Sequence, residues 1–365
     1  MSVLLRSLGP LVERLRADGY RVMGPTVRDG AIVLAELDSA DELPYGWETT
    51  TGPGRYRLHR RDDRAAFAHA AGPTSWRSFL HPAKRPLWTA DRDLAVTEPQ
   101  PQPQPRYAFL GVRACDLHAI AVTDRVLGKV DGEYARRRAA LFIVAVACTE
   151  PGATCFCASA GQGPGLDGAG CDLAMTELAD GASVRYVVEV RSAAGGAVLS
   201  AIPTEAADAW EVNSAREAVK LAAGRMGRSL PEVDLRELLA GALDHPRWDE
   251  VADRCLACAN CTMACPTCFC TTVVDSTDLT GDHAERWLRW DSCFDLDYSY
   301  LHGGPVRVST RSRYRQWLTH KLGTWHDQFR ESGCVGCGRC ITWCPVGIDI
   351  TEEVAALAAG TQVEG

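Results

Sequence analysis

The 365-residue sequence has no long hydrophobic run and no surplus of positive charge. Its longest apolar stretch, residues 139–148, is too short to cross a bilayer and is typical of a buried strand. The formal net charge is −8, so the chain has no basic excess with which to hold nucleic acid or an anionic membrane. We therefore expect neither nucleic acid nor a membrane as a partner.

Motifs of several catalytic classes are also missing. The sequence contains no G-x-x-x-x-G-K phosphate loop, no G-x-S-x-G nucleophile turn and no H-E-x-x-H pair among its nine histidines. Residues 163–168 match G-x-G-x-x-G, but Pro164 lies inside this motif and neither a strand nor a helix frames it. We therefore interpret it as a loop, and we predict no catalytic residue and no binding site other than metal ligands.

Cysteine is the residue that this chain has in excess, with 16 copies. Eight of them form two runs of the pattern C-x-x-C-x-x-C-x-x-x-C-P, and the second run follows the first at an offset of 79 residues. The eight are Cys255, Cys258, Cys261, Cys265, Cys334, Cys337, Cys340 and Cys344. Cytosolic thiols are kept reduced, so this number of cysteines favours metal ligation over disulfides.

The pattern of these runs is the one that binds 4Fe-4S clusters in bacterial two-cluster ferredoxins. Three thiolates of each run hold one cluster there, and the fourth ligates the neighbouring cluster. Pro266 and Pro345 redirect the chain after the fourth cysteine, so we expect the same crossed ligation here. Structural zinc is the alternative, but its usual signature is two separated C-x-x-C pairs. The pattern therefore favours two 4Fe-4S clusters and a role in electron transfer.

Four further cysteines follow predicted strands of the N-terminal half. Residues 109–112 predict a strand, 116–127 a helix and 141–147 a second, parallel strand. Cys115, Cys148, Cys155 and Cys157 would then meet at the carboxyl edge of the sheet, where open α/β sheets place ligands. We favour a third 4Fe-4S cluster at these cysteines, with inert packed thiols and zinc as the alternatives.

The remaining cysteines and a basic run carry weaker signals. Cys268, Cys270 and Cys293 provide only three sulfurs, with Cys171 a doubtful fourth, so we interpret them as packing near the clusters. A basic run could offset cluster charge, but a solvated face is the favoured interpretation. Its members are Arg307, Arg311, Arg313, Arg315 and Lys321.

The predicted fold class is α+β with two domains. Residues 1–228 would form an α/β domain with a mixed sheet, and residues 229–365 a mostly helical ferredoxin-like domain that holds the two clusters. Within the second domain, a capping box predicts a helix over 229–243, and residues 271–313 read as an irregular insert. Residues 98–106 predict a stiff Pro-Gln connector. Residues 1–16 predict an amphipathic helix rather than a signal peptide, so we expect a cytoplasmic protein.

Several strings of the sequence resemble one protein family over nearly the whole chain. They include G-V-R-A-C-D-L-H-A-I at 111–120, C-F-C-A-S-A-G-Q-G-P at 155–164, W-D-S-C at 290–293 and G-C-V-G-C-G-R-C-I-T-W-C-P-V-G-I-D-I at 333–350. With these strings the chain resembles the beta subunit of cytoplasmic NAD(P)-linked nickel-iron hydrogenases, also called sulfhydrogenases. It is also similar to the electron-transfer subunit of anaerobic sulfite reductase.

The resemblance implies a non-catalytic 4Fe-4S electron-transfer subunit of an oxidoreductase complex. Its partners would be a flavin subunit that reacts with NAD(P)H, together with the small and large subunits of a nickel-iron hydrogenase. The alternative partner is a sulfite reductase, since both relatives share the same strings. A zinc-bound scaffold that only joins subunits is the alternative from another class.

Overall fold

The computed structural model of the chain describes residues 2–99, 104–166, 168, 170–181 and 183–361, so part of the predicted connector, 100–103, lies outside the described residues. The strands are β1 Ser2–Leu5, β2 Arg21–Arg28, β3 Ala31–Glu36, β4 Trp47–Gly52, β5 Arg55–Arg60, β6 Lys84–Asp91, β7 Val96–Thr97, β8 Tyr107–Val112, β9 Phe142–Val146, β10 Leu173–Asp180, β11 Ser183–Val190, β12 Glu205–Ala206, β13 Thr271–Thr277, β14 His283–Trp290, β15 Tyr300–Leu301 and β16 Gly304–Pro305. The α-helices are α1 Gly9–Ala17, α2 Arg77–Leu80, α3 Ala114–Leu127, α4 Gly132–Ala139, α5 Ala193–Ser200, α6 Ala209–Gly224, α7 Leu235–Gly241, α8 Arg247–Arg254, α9 Asn260–Ala264, α10 Thr310–Thr319, α11 Trp325–Phe329, α12 Arg339–Thr342 and α13 Ile350–Thr361. A π-helical turn, His320–Thr324, joins α10 to α11. None of these helices is long and apolar enough to span a membrane.

A large mixed sheet organises the N-terminal half of the described chain. Its strand order is β12-β1-β11-β10-β9-β8-β2-β3. The central strands β2, β8, β9 and β10 are parallel to one another, and the outer pairs are antiparallel. Every residue of β8 and β9 is buried, as expected for parallel strands covered on both faces. The predicted mixed sheet is therefore present.

The predicted β-α-β unit is present, with slightly different bounds. β8 and α3 begin earlier than the predicted strand and helix, β9 is shorter than the predicted second strand, and β8 pairs with β9 in parallel register. α3 begins at Ala114, directly after the extended Arg113. Cys115 therefore lies in the first turn of α3, and Cys148 lies two residues beyond the end of β9.

The prediction of a helix over residues 1–16 is wrong at its start. Residues 2–5 form β1, which pairs with β11 and β12, and α1 begins only at Gly9. Pro10 fits the first helical turn but would disrupt a helix interior, so it sets this boundary. Leu4 and Leu5 are buried by the sheet instead.

Helices α7, α8, α10 and α13 pack around a second hydrophobic core in the C-terminal part. Trp248 of α8, together with Trp317 and Leu318 of α10, is buried there. The core is closed by Leu357 of α13, which is also fully buried.

The prediction of a helix over 229–243 is wrong for its first residues, because α7 begins at Leu235. The Asp234 carboxylate caps this helix by accepting hydrogen bonds from the backbone N–H groups of Arg236 and Glu237. The helix therefore begins where a side chain satisfies its first N–H groups.

The segment 271–313, predicted to be an irregular insert, contains a regular β-hairpin. β13 and β14 pair over their whole length, and β14 also pairs with β6 from the N-terminal half. The four-stranded sheet has the order β13-β14-β6-β7. The prediction failed because β14 is stabilised by a partner strand about two hundred positions earlier, which local sequence does not reveal. The boundary at 228/229 remains a prediction, and strands from both sides of it share this sheet.

Candidate metal centres

The first cysteine group joins three cysteines of the first run to the last cysteine of the second run. Its members are Cys255, Cys258, Cys261 and Cys344. They line one cavity with about 460 Å³ of empty space. The backbone N–H of Ala257 donates to Sγ of Cys255 at 3.4 Å, and the N–H of Ile348 donates to Sγ of Cys344 at 3.3 Å. Such donors stabilise thiolates that bind a cluster.

The second cysteine group has the reciprocal composition. Its members are Cys265, Cys334, Cys337 and Cys340. Burial raises the pKa of Cys340 well above its usual value, and the neighbouring sulfurs of the other three raise it further. The structure thus places the fourth cysteine of each run beside the three cysteines of the other run.

Both runs wind in the same way around their cysteines. Ala257 and Ala259 have φ angles of 50° and 64°, and Gly336 and Gly338, each 79 positions later, have φ angles of 65° and 73°. These left-handed residues lie two and four positions after the first cysteine of each run. The left-handed turns reverse the chain locally and bring three sulfurs of a short segment to one cavity.

The third cysteine group lies at the carboxyl edge of the large sheet, as its members' positions predicted. Cys115, Cys148, Cys155 and Cys157 line one cavity with about 420 Å³ of empty space. Burial raises the pKa of Cys157 to about 12, and the neighbouring Cys148 adds to this effect. The Cys157 thiol is therefore neutral near pH 7 unless a metal deprotonates it.

A buried cation borders the third cavity. Arg113 lines the cavity and is 7% exposed. Its Nη2 donates to the carbonyl oxygens of Phe67 and His69, while its Nη1 has no hydrogen-bond partner in the part of the chain that the structure describes. Within the described part of the chain no carboxylate lies close enough to Arg113 to form an ion pair, although the buried carboxylate of Glu177 interacts with its charge. An iron-sulfur cluster with four thiolates is anionic and would stabilise this buried cation further, so the residues present fit such a group.

The three groups form a row, with the second group in the middle. Cys337 of the second group also lines the third cavity, and Cys340 of the second group also lines the first cavity. A Cβ atom on Gly336 would lie 2.6 Å from the backbone N of Cys157, and one on Gly338 would lie 2.4 Å from the carbonyl oxygen of Thr154. Glycine at these two positions therefore permits the close approach of the second and third groups.

The remaining cysteines do not form a comparable group. Cys268 lies beside Cys265, and Cys270 lies near Cys293. Cys171 lies apart from them, in a hydrophobic cluster beside the large sheet.

Among the residues that the structure describes, no three His, Cys, Asp or Glu side chains converge as they would on a single metal ion. Single-ion sites and clusters differ in this respect. A lone ion draws all its ligands to about 2.0–2.3 Å. A 4Fe-4S cluster instead places each thiolate on a different iron, so its ligands line the walls of a larger space.

Sequence reasoning missed two features of these sites. Nothing in the local pattern indicated that Arg113 is buried. The basic run was expected to be a solvated face, but two of its members, Arg313 and Lys321, are only 8% and 6% exposed. The expectation was wrong for these two because both side chains point inward. Arg313 of α10 donates to the carbonyl oxygen of Phe294 in the C-terminal core. Lys321 of the π-helical turn donates to Thr267 beside the second cysteine group.

Comparison with known proteins agrees with the spacing of the C-terminal cysteines. Residues 254–348 match the family model of the 4Fe-4S dicluster domain. The whole chain is also similar to sulfhydrogenase 2 subunit beta of Pyrococcus furiosus, with 30% identity over 353 residues, which cover 93% of this chain and 94% of the relative. The chain belongs to the sulfhydrogenase beta-subunit family. No solved structure matches it.

Membership in the sulfhydrogenase beta-subunit family confirms the resemblance drawn from the sequence strings. All eight cysteines of the two runs lie inside the dicluster match, and so does the β13–β14 hairpin. The third cysteine group lies outside this match, in the N-terminal half that the sulfhydrogenase relative covers as well. The chain therefore carries an iron-sulfur domain joined to a mixed α/β domain.

Proposed function

We propose that this chain is the electron-transfer subunit of a sulfhydrogenase-type complex and that it holds three 4Fe-4S clusters. The observation that carries the proposal is the row of three cysteine groups, in which each neighbouring pair shares a wall residue. Clusters of this type supply one-electron carriers. Three such carriers in a row provide a route for electrons through the chain.

The proposal assigns four thiolates to each cluster. The first cluster takes Cys255, Cys258, Cys261 and Cys344. The second takes Cys265, Cys334, Cys337 and Cys340. The third takes Cys115, Cys148, Cys155 and Cys157. Support for the third assignment comes from the shared cavity and from the buried cation Arg113, which lines it.

The first group lies at the surface end of the row. Cys258 is exposed, and Leu256 and Val346 beside it are 64% and 38% exposed. A redox partner that docks here would approach the first cluster closely. The name of the relative from Pyrococcus furiosus supports partners from a sulfhydrogenase complex. From the resemblance of the sequence strings we propose that these partners are the nickel-iron hydrogenase subunits and a flavin NAD(P)H-oxidoreductase subunit.

An iron count with a matched control tests the third cluster. Purified without oxygen, the chain should contain about twelve irons, since each 4Fe-4S cluster contributes four. The double variant Cys155→Ala/Cys157→Ala should lose about four of them. Cys171→Ala, a buried cysteine outside the row, should keep the full number. An unchanged count in the double variant would exclude the third cluster while leaving the other two in place.

Anaerobic affinity purification with metal analysis tests the partners. Nickel in the captured complex supports the hydrogenase assignment, whereas sirohaem would replace it with a sulfite reductase. A folded, colourless chain that contains zinc and no iron would overturn electron transfer and indicate a structural scaffold.

A further inference from the structure

We propose that Lys321 is the counter-cation of the second cluster and that its charge raises the midpoint potential of that cluster. This inference rests on the proposed function, because it requires a cluster at Cys265, Cys334, Cys337 and Cys340. It assigns a specific electrostatic role to a residue that binds no metal.

Lys321 reaches the interior through an irregular helix. The π-helical turn His320–Thr324 lies between α10 and α11, and Lys321 within it is 6% exposed. A π-helical turn inserts an extra residue into the helix and changes the direction of the side chains that follow, and such turns occur often at functional sites. The turn therefore places a lysine where a continuous surface helix would keep it in solvent.

Two contacts tie Lys321 to both flanks of the second cysteine group. Its Nζ donates to Oγ1 of Thr267 at 2.9 Å, and this oxygen lies 3.2 Å from Sγ of Cys265. The Thr267 hydroxyl in turn donates to the carbonyl oxygen of Gly333 at 2.8 Å, and the N–H of Gly333 donates to the carbonyl oxygen of Lys321 at 2.8 Å. Since Gly333 precedes Cys334, the lysine is fixed next to two of the four cysteines.

The charge of Lys321 has no carboxylate partner among the described residues. Arg339, which is also buried near this group, forms an ion pair with Asp116. The groups that interact most strongly with Lys321 are instead the sulfur atoms of Cys265, Cys268 and Cys334. A buried ammonium without an anion is strongly unfavourable, so the site is balanced only when Cys265 and Cys334 carry negative charge, as thiolates that bind iron do.

A fixed positive charge beside a cluster affects its two oxidation states unequally. Reduction adds one negative charge to the cluster, and a nearby cation in a low-dielectric interior stabilises the reduced state more than the oxidised one. Replacing Lys321 by a neutral residue should therefore make this cluster harder to reduce, with little effect on the others.

The test is a redox titration of the purified full chain followed by electron paramagnetic resonance, with iron counted in every sample. The signal of the second cluster is the one that Cys265→Ser alters. Lys321→Met should lower the reduction equilibrium constant of this cluster at least tenfold, which is about 59 mV for one electron. Lys321→Arg keeps the charge and should stay near the wild-type potential. Lys220→Met, at a lysine whose side chain is 77% exposed, should change nothing.

The possible results separate the role of Lys321 from the proposed electron-transfer function. Neutral variants with full iron and unchanged potentials would overturn the role of Lys321 and leave electron transfer standing. A Lys321→Arg variant that shifts as far as Lys321→Met would also overturn it, because shape rather than charge would then matter. If Lys321→Met loses iron, the measurement is repeated with Lys321→Gln. If both neutral variants lose the iron of the second cluster and Lys321→Arg retains it, the result supports the proposal. A wild-type chain without iron would instead refute the proposed function.

Discussion

Arg339 and Asp116 form a buried ion pair that joins the second cysteine group to the third. Nη1 of Arg339 lies 3.0 Å from Oδ1 of Asp116, and the two side chains are 3% and 4% exposed. Arg339 lies in α12 between Cys337 and Cys340, whereas Asp116 follows Cys115 in α3. The pair therefore connects the iron-sulfur domain to the β-α-β unit at the point where the two cysteine groups meet.

Removing the charge of Asp116 should destabilise this junction. Asp116→Asn leaves the Arg339 guanidinium buried without a carboxylate, and breaking a buried pair in this way costs about 3–5 kcal/mol. We expect the free energy of unfolding in urea, measured without oxygen, to fall by about that amount. Glu205→Gln breaks the exposed pair between Arg6 and Glu205 and serves as the control. Equal effects of the two variants would contradict a special role for the buried pair.

Crossed ligation predicts which cysteine variants share a phenotype. Cys344→Ala should alter the same paramagnetic resonance signal as Cys261→Ala, because both cysteines lie in the first group. Cys265→Ala and Cys340→Ala should both alter a second, different signal, because these two cysteines lie in the second group. If each run instead binds its own cluster, Cys344→Ala will match Cys340→Ala. Spectra of the four reduced variants, with wild type as reference, decide between the two arrangements.

Gly338 should tolerate no side chain. Gly338→Ala would place a Cβ atom 2.4 Å from the carbonyl oxygen of Thr154, at a φ of 73°, and so would push the second and third groups apart. We expect a loss of roughly 2 kcal/mol or more in unfolding free energy and a reduced iron content. Gly224→Ala is the matched control, since a Cβ atom there has no neighbour within 4 Å in the described structure. A variant at Gly338 with wild-type stability and iron would refute the close-approach argument.

His81 should make the protein sensitive to acid. Its side chain is 3% exposed, its Nε2 has no hydrogen-bond partner among the described residues, and its ring stacks on Trp290. Burial, with a contribution from Arg77, lowers the pKa of His81 to about 4, so the folded chain holds it neutral while the unfolded chain binds a proton below about pH 6.5. The stability from this group is thus complete above pH 6.5 and is lost as the pH falls toward 4.

His81→Phe removes the titrating group and keeps a flat ring against Trp290. Between pH 6.5 and 4 the variant should lose less unfolding free energy than the wild type, by on the order of 2 kcal/mol. Denaturant unfolding at several pH values under constant ionic strength measures the difference. If the unfolding free energy of both proteins falls equally with pH, groups other than His81 cause the acid sensitivity.

The elements that sequence predicted well are those set by local pattern. The apolar strands on either side of α3 were placed correctly because buried parallel strands have a continuous hydrophobic signature. The meeting of Cys115 with Cys148 then followed from the geometry of parallel strand ends. By contrast, β14 was not predicted, because it is stabilised by pairing with the distant strand β6. The start of α7 was predicted wrongly, because the carboxylate of Asp234 caps the helix at a later position.

The sequence by itself determined the family, the eight cysteines of the two runs and the four further cysteines at the sheet edge, since ligand spacing and strand ends are local properties of the chain. Only the tertiary structure decided that the three cysteine groups stand in a row and that Arg113 and Lys321 lie buried beside two of them. The physical reason is that the environment of a charge depends on residues far away in sequence. Lys321 touches Thr267, and Arg339 touches Asp116, only because the fold brings these segments together.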